Sequence, residues 1–176
     1  MKADKTDNLL TEESIIVELS VWLDNRKFTY KIPRAFIYGW ESDFWAMTSE
    51  GETREFEIKI SRSDYLIDKK KEKHSDTTQG ANYFYYVCPK GLISKEEIDS
   101  KYGLLTIRQD GYLEVAKKPQ RLNDFKFTNW KMLANKMYWK WYSVWLQKYR
   151  DKEISNSEWR AGFNIELDTS PNQTNP

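Results

Sequence analysis

Apolar and polar residues follow helical spacing in some stretches of this chain and strict alternation in others. Between about residues 9 and 25 the apolar positions recur with helical spacing, which predicts an amphipathic helix with Thr11 as its N-cap. Alternation over residues 28–32 predicts a first strand that ends at Pro33. Two further alternating runs flank the Gly-containing turn at residues 48–52, and they predict a β-hairpin.

The middle of the chain continues with one more helix and a buried strand. The charged, Lys-rich tract over residues 61–73 predicts a helix. Residues 82–88 form an aromatic and β-branched run bounded by Pro89, as expected of a strand that is buried on both faces, with Cys88 as a small core residue. The capping-box pattern that starts at residue 94 predicts a short helix over residues 94–99.

The C-terminal part of the chain begins with a second hairpin and continues with a helix. Residues 102–108 and 112–117 flank an Asp-Gly pair, which is a strong hairpin signal. Residues from 129 to about 153 have the composition of a helix, and its aromatic residues fall on more than one face. This helix therefore either packs on two sides or leaves an apolar patch for a partner. Its aromatic residues are Trp130, Trp139, Trp141, Trp145, Tyr138, Tyr142 and Tyr149.

The order of these elements is helix, three strands, helix, strand, hairpin and C-terminal helix, which indicates the α/β class. No internal repeat and no second independent core are evident, so we expect a single domain over residues 1–167 with its core at about 9–119. The tail over residues 168–176, rich in Thr, Asn, Gln and Pro, is expected to be disordered.

Composition excludes several classes of protein. The net charge is +1, from 28 basic and 27 acidic residues, so any basic surface for nucleic acid must be local. Cys88 is the only cysteine and His74 the only histidine, which excludes internal disulfides and Cys/His zinc clusters. No apolar run is long enough to span a bilayer or to form a signal peptide, so we expect no membrane partner and a cytoplasmic location.

Candidate chemistry is concentrated on the second strand of the first hairpin. Alternation along residues 54–60 puts Glu55, Glu57 and Lys59 on one face and apolar residues on the other. If Asp43 begins the partner strand, its carboxylate lies near Glu57, and such oxygen ligands suit a hard divalent cation such as magnesium. The alternative interpretation is a solvated face with cross-strand ion pairs.

The order of elements, the acid that opens the second strand and the sequence of residues 57–59 together resemble the PD-(D/E)XK nuclease superfamily. Residues 57–70 are similar to the block after the catalytic strand in the MmcB family of predicted DNA-repair nucleases. The resemblance covers about residues 12–119. It implies a restriction-endonuclease-like αβββαβ core with a mixed central sheet, to which the second hairpin and the Trp-rich helix are added.

The resemblance also implies roles for individual residues. Asp43, Glu57 and the carbonyl of Ile58 would bind Mg²⁺ or Mn²⁺. Lys59 would position or activate the attacking water and offset charge on the scissile phosphate. Glu18 on the first helix would be an additional acid of the site. Together these roles would make the chain a metal-dependent nuclease.

The sequence departs from the family pattern in front of the second strand. No proline precedes Asp43, and the connection over residues 34–41 is longer than usual, which leaves open whether Asp43 or Glu41 enters the site. We favour Asp43 because Trp45 and Met47 continue its strand.

The substrate implied by the resemblance is DNA, with RNA not excluded, and the implied setting is repair, recombination, phage or defence processes inside a bacterial or phage-infected cell. Arg62, Lys69, Lys70 and Lys73 form a basic patch that would contact phosphates, although a solvated helix face explains these residues equally well. Two other functions remain open. One is a non-catalytic nucleic-acid-binding module of the same fold, and the other is a protein-interaction module, or a homodimer, formed through the Trp-rich helix.

Overall fold

A computed structural model describes residues 10–24, 26, 28–68 and 80–151. The chain comprises two compact units, Met1–Asn129 and Trp130–Pro176. The single domain predicted over residues 1–167 stays a prediction, and the predicted tail lies outside the described residues.

The described residues of the first unit form two helices and six strands, and those of the second unit form one helix. In chain order the elements are α1 (Glu12–Asp24), β1 (Phe28–Phe36), β2 (Glu41–Thr48), β3 (Thr53–Ile58), α2 (Arg62–Asp68), β4 (Tyr83–Pro89), β5 (Gly103–Ile107), β6 (Leu113–Lys117) and α3 (Trp130–Arg150).

All six strands belong to one mixed sheet in the order β1-β2-β3-β4-β5-β6. The pairs β1–β2, β2–β3 and β5–β6 are antiparallel, whereas β3–β4 and β4–β5 are parallel. The predicted α/β class is therefore confirmed. Because β3, β4 and β5 run in the same direction, their carboxyl ends meet at one edge of the sheet, which we call the carboxyl edge.

Each face of the sheet is covered by its own apolar cluster. One cluster joins α1, through Ile15 and Leu19, to Phe56 and Ile58 of β3. The other surrounds Tyr65 of α2 on the opposite face. Strand β4 contributes to both clusters and is buried along its length, as predicted. Cys88 is a buried core residue, and burial raises the pKa of its thiol to about 11.

The first helix starts where the sequence predicts. The backbone N–H of Ser14 donates to Thr11 Oγ1 at 3.2 Å, and the Thr11 N–H donates to Ser14 Oγ at 3.0 Å. This reciprocal capping satisfies N–H groups that the first turn of a helix leaves without partners.

The predicted end of the first strand at Pro33 is wrong, because β1 continues to Phe36. Strand β1 lies at the edge of the sheet and pairs with β2 on one side. An edge strand tolerates proline because one row of its N–H groups needs no partner strand.

The short helix predicted over residues 94–99 is a turn. Half of the capping box forms, since the Ser94 N–H donates to Glu97 Oε1 at 3.0 Å. Tertiary contacts hold Glu97, however, because Arg62 forms an ion pair with its carboxylate and Tyr65 Oη donates to its backbone carbonyl at 3.0 Å. These contacts occupy the carboxylate and the backbone carbonyl of Glu97, which a continuing helix would use for its own hydrogen bonds.

Helix α3 confirms the prediction of an aromatic C-terminal helix. The rings of Tyr138 and Tyr142 stack at 5.8 Å, and those of Trp141 and Trp145 stack at 6.1 Å. Trp139 is 62% exposed. In the part of the chain that the structure describes, no helix is long and apolar enough to cross a membrane.

The start of β3 is anchored by the buried side chain of Asn82. Asn82 Oδ1 accepts the Thr53 N–H at 2.7 Å, while its Nδ2 donates to the backbone carbonyls of Asn123 at 3.1 Å and Phe125 at 2.7 Å. These bonds tie β3 to the segment that follows β6, and they help to set the position of β3 in the sheet.

We expect Asn82→Ala to lower the free energy of unfolding by about 3 kcal/mol, because it leaves several buried backbone groups without partners. Urea unfolding followed by fluorescence measures this change. Asn135→Ala is the control, since Asn135 is exposed on α3, and we expect a change within about 0.5 kcal/mol there. Equal effects of the two substitutions would contradict an anchoring role for Asn82.

Candidate functional site

The candidate site lies where β2 and β3 separate. The two strands pair from Met47↔Thr53 to Phe44↔Phe56, next to Asp43 on β2. Beyond that pair, Asp43 Oδ2 accepts a hydrogen bond from the Ile58 N–H at 2.7 Å. The side chain of Asp43 thereby takes the place of a strand partner and reaches the carboxyl end of β3.

Lys59 follows β3 directly and is enclosed by carboxylates. Its Nζ lies 3.0 Å from Glu57 Oε1, 3.7 Å from Asp64 Oδ2 and 3.7 Å from Asp68 Oδ1. Lys59 and Glu57 are each only 3% exposed. We call these four residues the Lys59 cluster. Charges removed from water in this way are stable only when paired, so the cluster holds its members in fixed positions.

The carboxylates keep the lysine charged. Burial by itself lowers the pKa of Lys59, but the nearby Glu57, Asp68 and Asp64 raise it by more, so that the net shift is upward. Lys59 is therefore a permanent ammonium group in this environment.

Helix α2 contributes two members of the Lys59 cluster that the sequence analysis did not assign to the site. Asp64 and Asp68 are four residues apart, and this spacing puts both on one face of the helix. Asp68 is completely buried and also accepts a hydrogen bond from Tyr86 Oη at 3.2 Å. The spacing of two acids on a helix directly after Lys59 is the signal that could have identified them.

Asp43 and Glu57 influence each other electrostatically. Burial first, and then the charge of Glu57, raise the pKa of Asp43 to about 7, although its hydrogen bond from Ile58 lowers it. A divalent cation bound there would offset the repulsion that raises the pKa of Asp43. The donor set, two carboxylates and a main-chain carbonyl, therefore fits the Mg²⁺ or Mn²⁺ ligands named from the sequence, namely Asp43, Glu57 and Ile58.

This set is small for a metal site. Over the described residues, no group of three or more His, Cys, Asp or Glu side chains has the arrangement of a metal centre. A cation held by Asp43, Glu57 and Ile58 would therefore keep several water ligands, as Mg²⁺ usually does.

The alternative interpretation of a solvated acidic face is wrong. Glu55, Glu57 and Lys59 are 2%, 3% and 3% exposed. Glu55 accepts hydrogen bonds from Trp40 Nε1 at 2.7 Å and from Ser42 Oγ at 2.8 Å. It thus contacts Trp40 in the loop before β2 and Ser42 within β2, and has a different environment from Glu57.

The structure does not bring Glu18 to Asp43 and Glu57. Glu18 lines a cleft of about 410 Å³ against the turn between β5 and β6, with Asp110 and Gly111. That turn is separated from β3 by the width of β4 and β5, about 10 Å. The acid of α1 whose charge acts on Asp43 is Glu12.

Of the two acids left open on β2, the structure brings Asp43 to β3 and leaves Glu41 exposed opposite Phe36 of β1. The predicted basic patch is only partly described. The guanidinium of Arg62 is paired with the carboxylate of Glu97. Lys69, Lys70 and Lys73 lie outside the described residues, and phosphate binding by these four residues stays a prediction.

No family model matches the chain, and no curated protein matches it significantly. A solved structure that is similar to it is the SPO1766 protein of unknown function from Silicibacter pomeroyi, with a TM-score of 0.59 and 20% sequence identity. The similarity covers 84% of this chain and 97% of that chain. At this identity the likeness concerns the fold alone.

The raised pKa of Asp43 predicts a pH-dependent stability. The folded state favours the protonated carboxyl of Asp43, and this preference contributes to the free energy of unfolding. The contribution is complete below the ordinary pKa of 3.8 and is lost as the pH rises through about 7. As the pH rises from about 5 to about 8, we expect the free energy of unfolding of Asp43→Asn to increase relative to that of the unsubstituted protein. The increase should be on the order of 2 kcal/mol, or about 5 °C in Tm.

Thermal unfolding at a series of pH values in EDTA measures this difference. Glu41→Gln is the matched control, because Glu41 is exposed on the same strand. A Tm difference between Asp43→Asn and the unsubstituted protein that does not change with pH would contradict the assignment.

Proposed function

We propose that this protein is a metal-dependent nuclease of the PD-(D/E)XK type that hydrolyses phosphodiester bonds in DNA. The observation that carries this proposal is the meeting of Asp43, Glu57 and Lys59 at the carboxyl end of β3.

The order and direction of the strands support the proposal. The elements from α1 to β4 follow the order αβββαβ, with β1, β2 and β3 antiparallel and β4 parallel to β3. The resemblance to restriction-endonuclease-like proteins leads us to expect this order of elements. In this arrangement the acid on β2 and the residues at the end of β3 share one edge of the sheet.

The energetics of the site support the proposal as well. Burying an ion pair costs desolvation energy that the pairing often only offsets, so apolar residues would stabilise the fold at least as well. A cluster of charged groups with a shifted pKa is a common feature of catalytic sites. The Lys59 cluster and Asp43 have both properties.

Each residue would have a defined task in hydrolysis. The metal, when bound, would lower the pKa of a water ligand and neutralise the phosphate. Asp43 and Glu57 would bind the metal with the Ile58 carbonyl, and the hydrogen bond from Ile58 would keep Asp43 oriented. Lys59 would offset negative charge on the phosphate as water adds to phosphorus and the P–O bond to the leaving oxygen breaks.

The structure changes the choice of variant for testing this function. Removing Lys59 would leave Glu57 and Asp68 buried without their cation, at a cost of about 3 to 5 kcal/mol. Loss of activity in such a variant could then result from unfolding. Glu57→Gln keeps the shape of the side chain and an oxygen that accepts the bond from Lys59.

We expect Glu57→Gln to lower DNA cleavage by at least about 100-fold, because it removes one of two metal-binding carboxylates. Cleavage of single-stranded, duplex and branched DNA, and of RNA, is measured with Mg²⁺, Mn²⁺ or EDTA. Calorimetric titration with Mn²⁺ provides a second readout, in which the variant loses saturable binding.

Glu41→Gln is the matched control and should cleave at the unsubstituted rate, since Glu41 is exposed on β2. The proposal would be contradicted if cleavage did not depend on metal, or if none of the substrates were cleaved. Saturable metal-independent DNA binding without any cleavage would indicate the non-catalytic module instead.

A second candidate function, self-association or protein binding through α3, is supported by the exposure of its aromatic side chains. Trp139, Trp141 and Tyr138 are each about half exposed or more. We expect the protein to form concentration-dependent dimers in sedimentation velocity experiments, and Trp139→Ala to reduce them by removing apolar contact area. A protein that stays monomeric at all concentrations would rule out the homodimer.

A further inference from the structure

Arg34 has an unusual backbone conformation inside a strand. Its φ of 49° lies in the left-handed region. Among the described residues, no other non-glycine residue has a positive φ. A side chain in this region costs about 1 to 2 kcal/mol, whereas glycine would adopt it without that cost. An observed outlier of this kind is a reason to examine the residue for a function.

Arg34 lies directly across the β1–β2 pair from Asp43. The register pairs Pro33 with Phe44 and Ala35 with Ser42, so that Arg34 and Asp43 are the residues between these pairs. Cα atoms at such opposite positions are about 5 Å apart. The strained residue is therefore a neighbour of the carboxylate that reaches the end of β3.

The left-handed conformation directs the Arg34 side chain toward the start of α1. Its Nη2 lies 2.9 Å from Glu13 Oε1 and 3.3 Å from Glu12 Oε1, and the side chain is 51% exposed. Glu12 also acts electrostatically on Asp43, which places this ion-pair group beside the candidate site. The guanidinium thus reaches solvent at the edge of the site.

These ion pairs do not explain the strain. Exposed pairs of this type contribute about 0 to 1 kcal/mol each, which is no more than the backbone conformation costs. An exposed pair is also readily exchanged for another anion. Arginine is well suited to phosphate, because its planar fork donates two parallel hydrogen bonds.

The other described cations near Asp43 are less available. Lys59 is buried among three carboxylates, and Arg62 is held by both oxygens of Glu97. The other charges that act on Asp43 are acidic, from Glu57 and Glu12. A polyanion that approaches this site needs an exposed cation at its edge to offset the repulsion.

We propose that Arg34 binds a backbone phosphate of the nucleic-acid substrate next to the scissile bond, exchanging Glu12 and Glu13 for the phosphate oxygens. This assignment rests on the nuclease function proposed above. It makes Arg34 a determinant of substrate affinity that neither the sequence pattern nor the resemblance identified.

Arg34→Gly separates the roles of the backbone and the side chain. Glycine accepts the left-handed conformation, so we expect the Tm to be unchanged or higher. Without the guanidinium, binding to nucleic acid should weaken by about 10-fold, and the slope of log K against log salt should fall by about one. Arg34→Lys keeps the charge but lacks the planar guanidinium, so its affinity for nucleic acid should lie between those of Arg34→Gly and the unsubstituted protein.

The probes are fluorescently labelled single-stranded and duplex DNA of about 20 nucleotides, measured by anisotropy with Ca²⁺ in place of Mg²⁺ to suppress cleavage. Lys31→Ala is the matched control, because Lys31 lies on the same strand and also pairs with an acid, Asp24. Its affinity and salt slope should remain those of the unsubstituted protein.

Three outcomes would overturn the assignment. If the unsubstituted protein binds DNA and Arg34→Gly binds it equally well with the same salt slope, Arg34 is not a phosphate ligand and the nuclease function is unaffected. If Arg34→Gly lowers the Tm while DNA affinity is retained, the residue is structural. If the unsubstituted protein binds neither probe, the proposed nuclease function fails together with this assignment.

Discussion

The buried ion pairing around Lys59 is the interaction on which the rest of the candidate site depends. One ammonium group and three carboxylates, from Glu57, Asp64 and Asp68, come together between the end of β3 and the face of α2. The charges of Lys59, Glu57 and Asp68 are buried and would be costly to leave unpaired, so the helix and the strand must meet in one arrangement. The position of α2 against the sheet is thus coupled to the position of the lysine.

A second constraint is the separation of β2 from β3. Backbone pairing between the two strands stops at Phe44↔Phe56, before the end of β3. Instead, the Asp43 carboxylate satisfies the Ile58 N–H at the carboxyl edge. This position has a cost, because burial and the charge of Glu57 disfavour the ionised carboxylate, and the raised pKa of Asp43 reflects that cost.

Local pattern was sufficient for most of the elements and insufficient where tertiary contacts compete. The buried strand over residues 82–88 is predictable because every position from 83 to 88 is aromatic, aliphatic or cysteine. Residues 94–99 were predicted to be helical from their capping box, but Arg62 and Tyr65, more than 30 residues away in sequence, hold Glu97 in a turn. No local pattern contains the information about such partners.

The sequence by itself determined the order of helices and strands and the α/β class. It also determined the alternation that puts Glu55, Glu57 and Lys59 on one side of β3. These features depend on residues that are only a few positions apart. Only the tertiary structure decided that these side chains are buried, that α2 supplies two further acids and that Glu18 lies away from Asp43. Burial and charge pairing arise between elements that are distant in sequence, and the register of the sheet and the packing of its helices determine which of them meet.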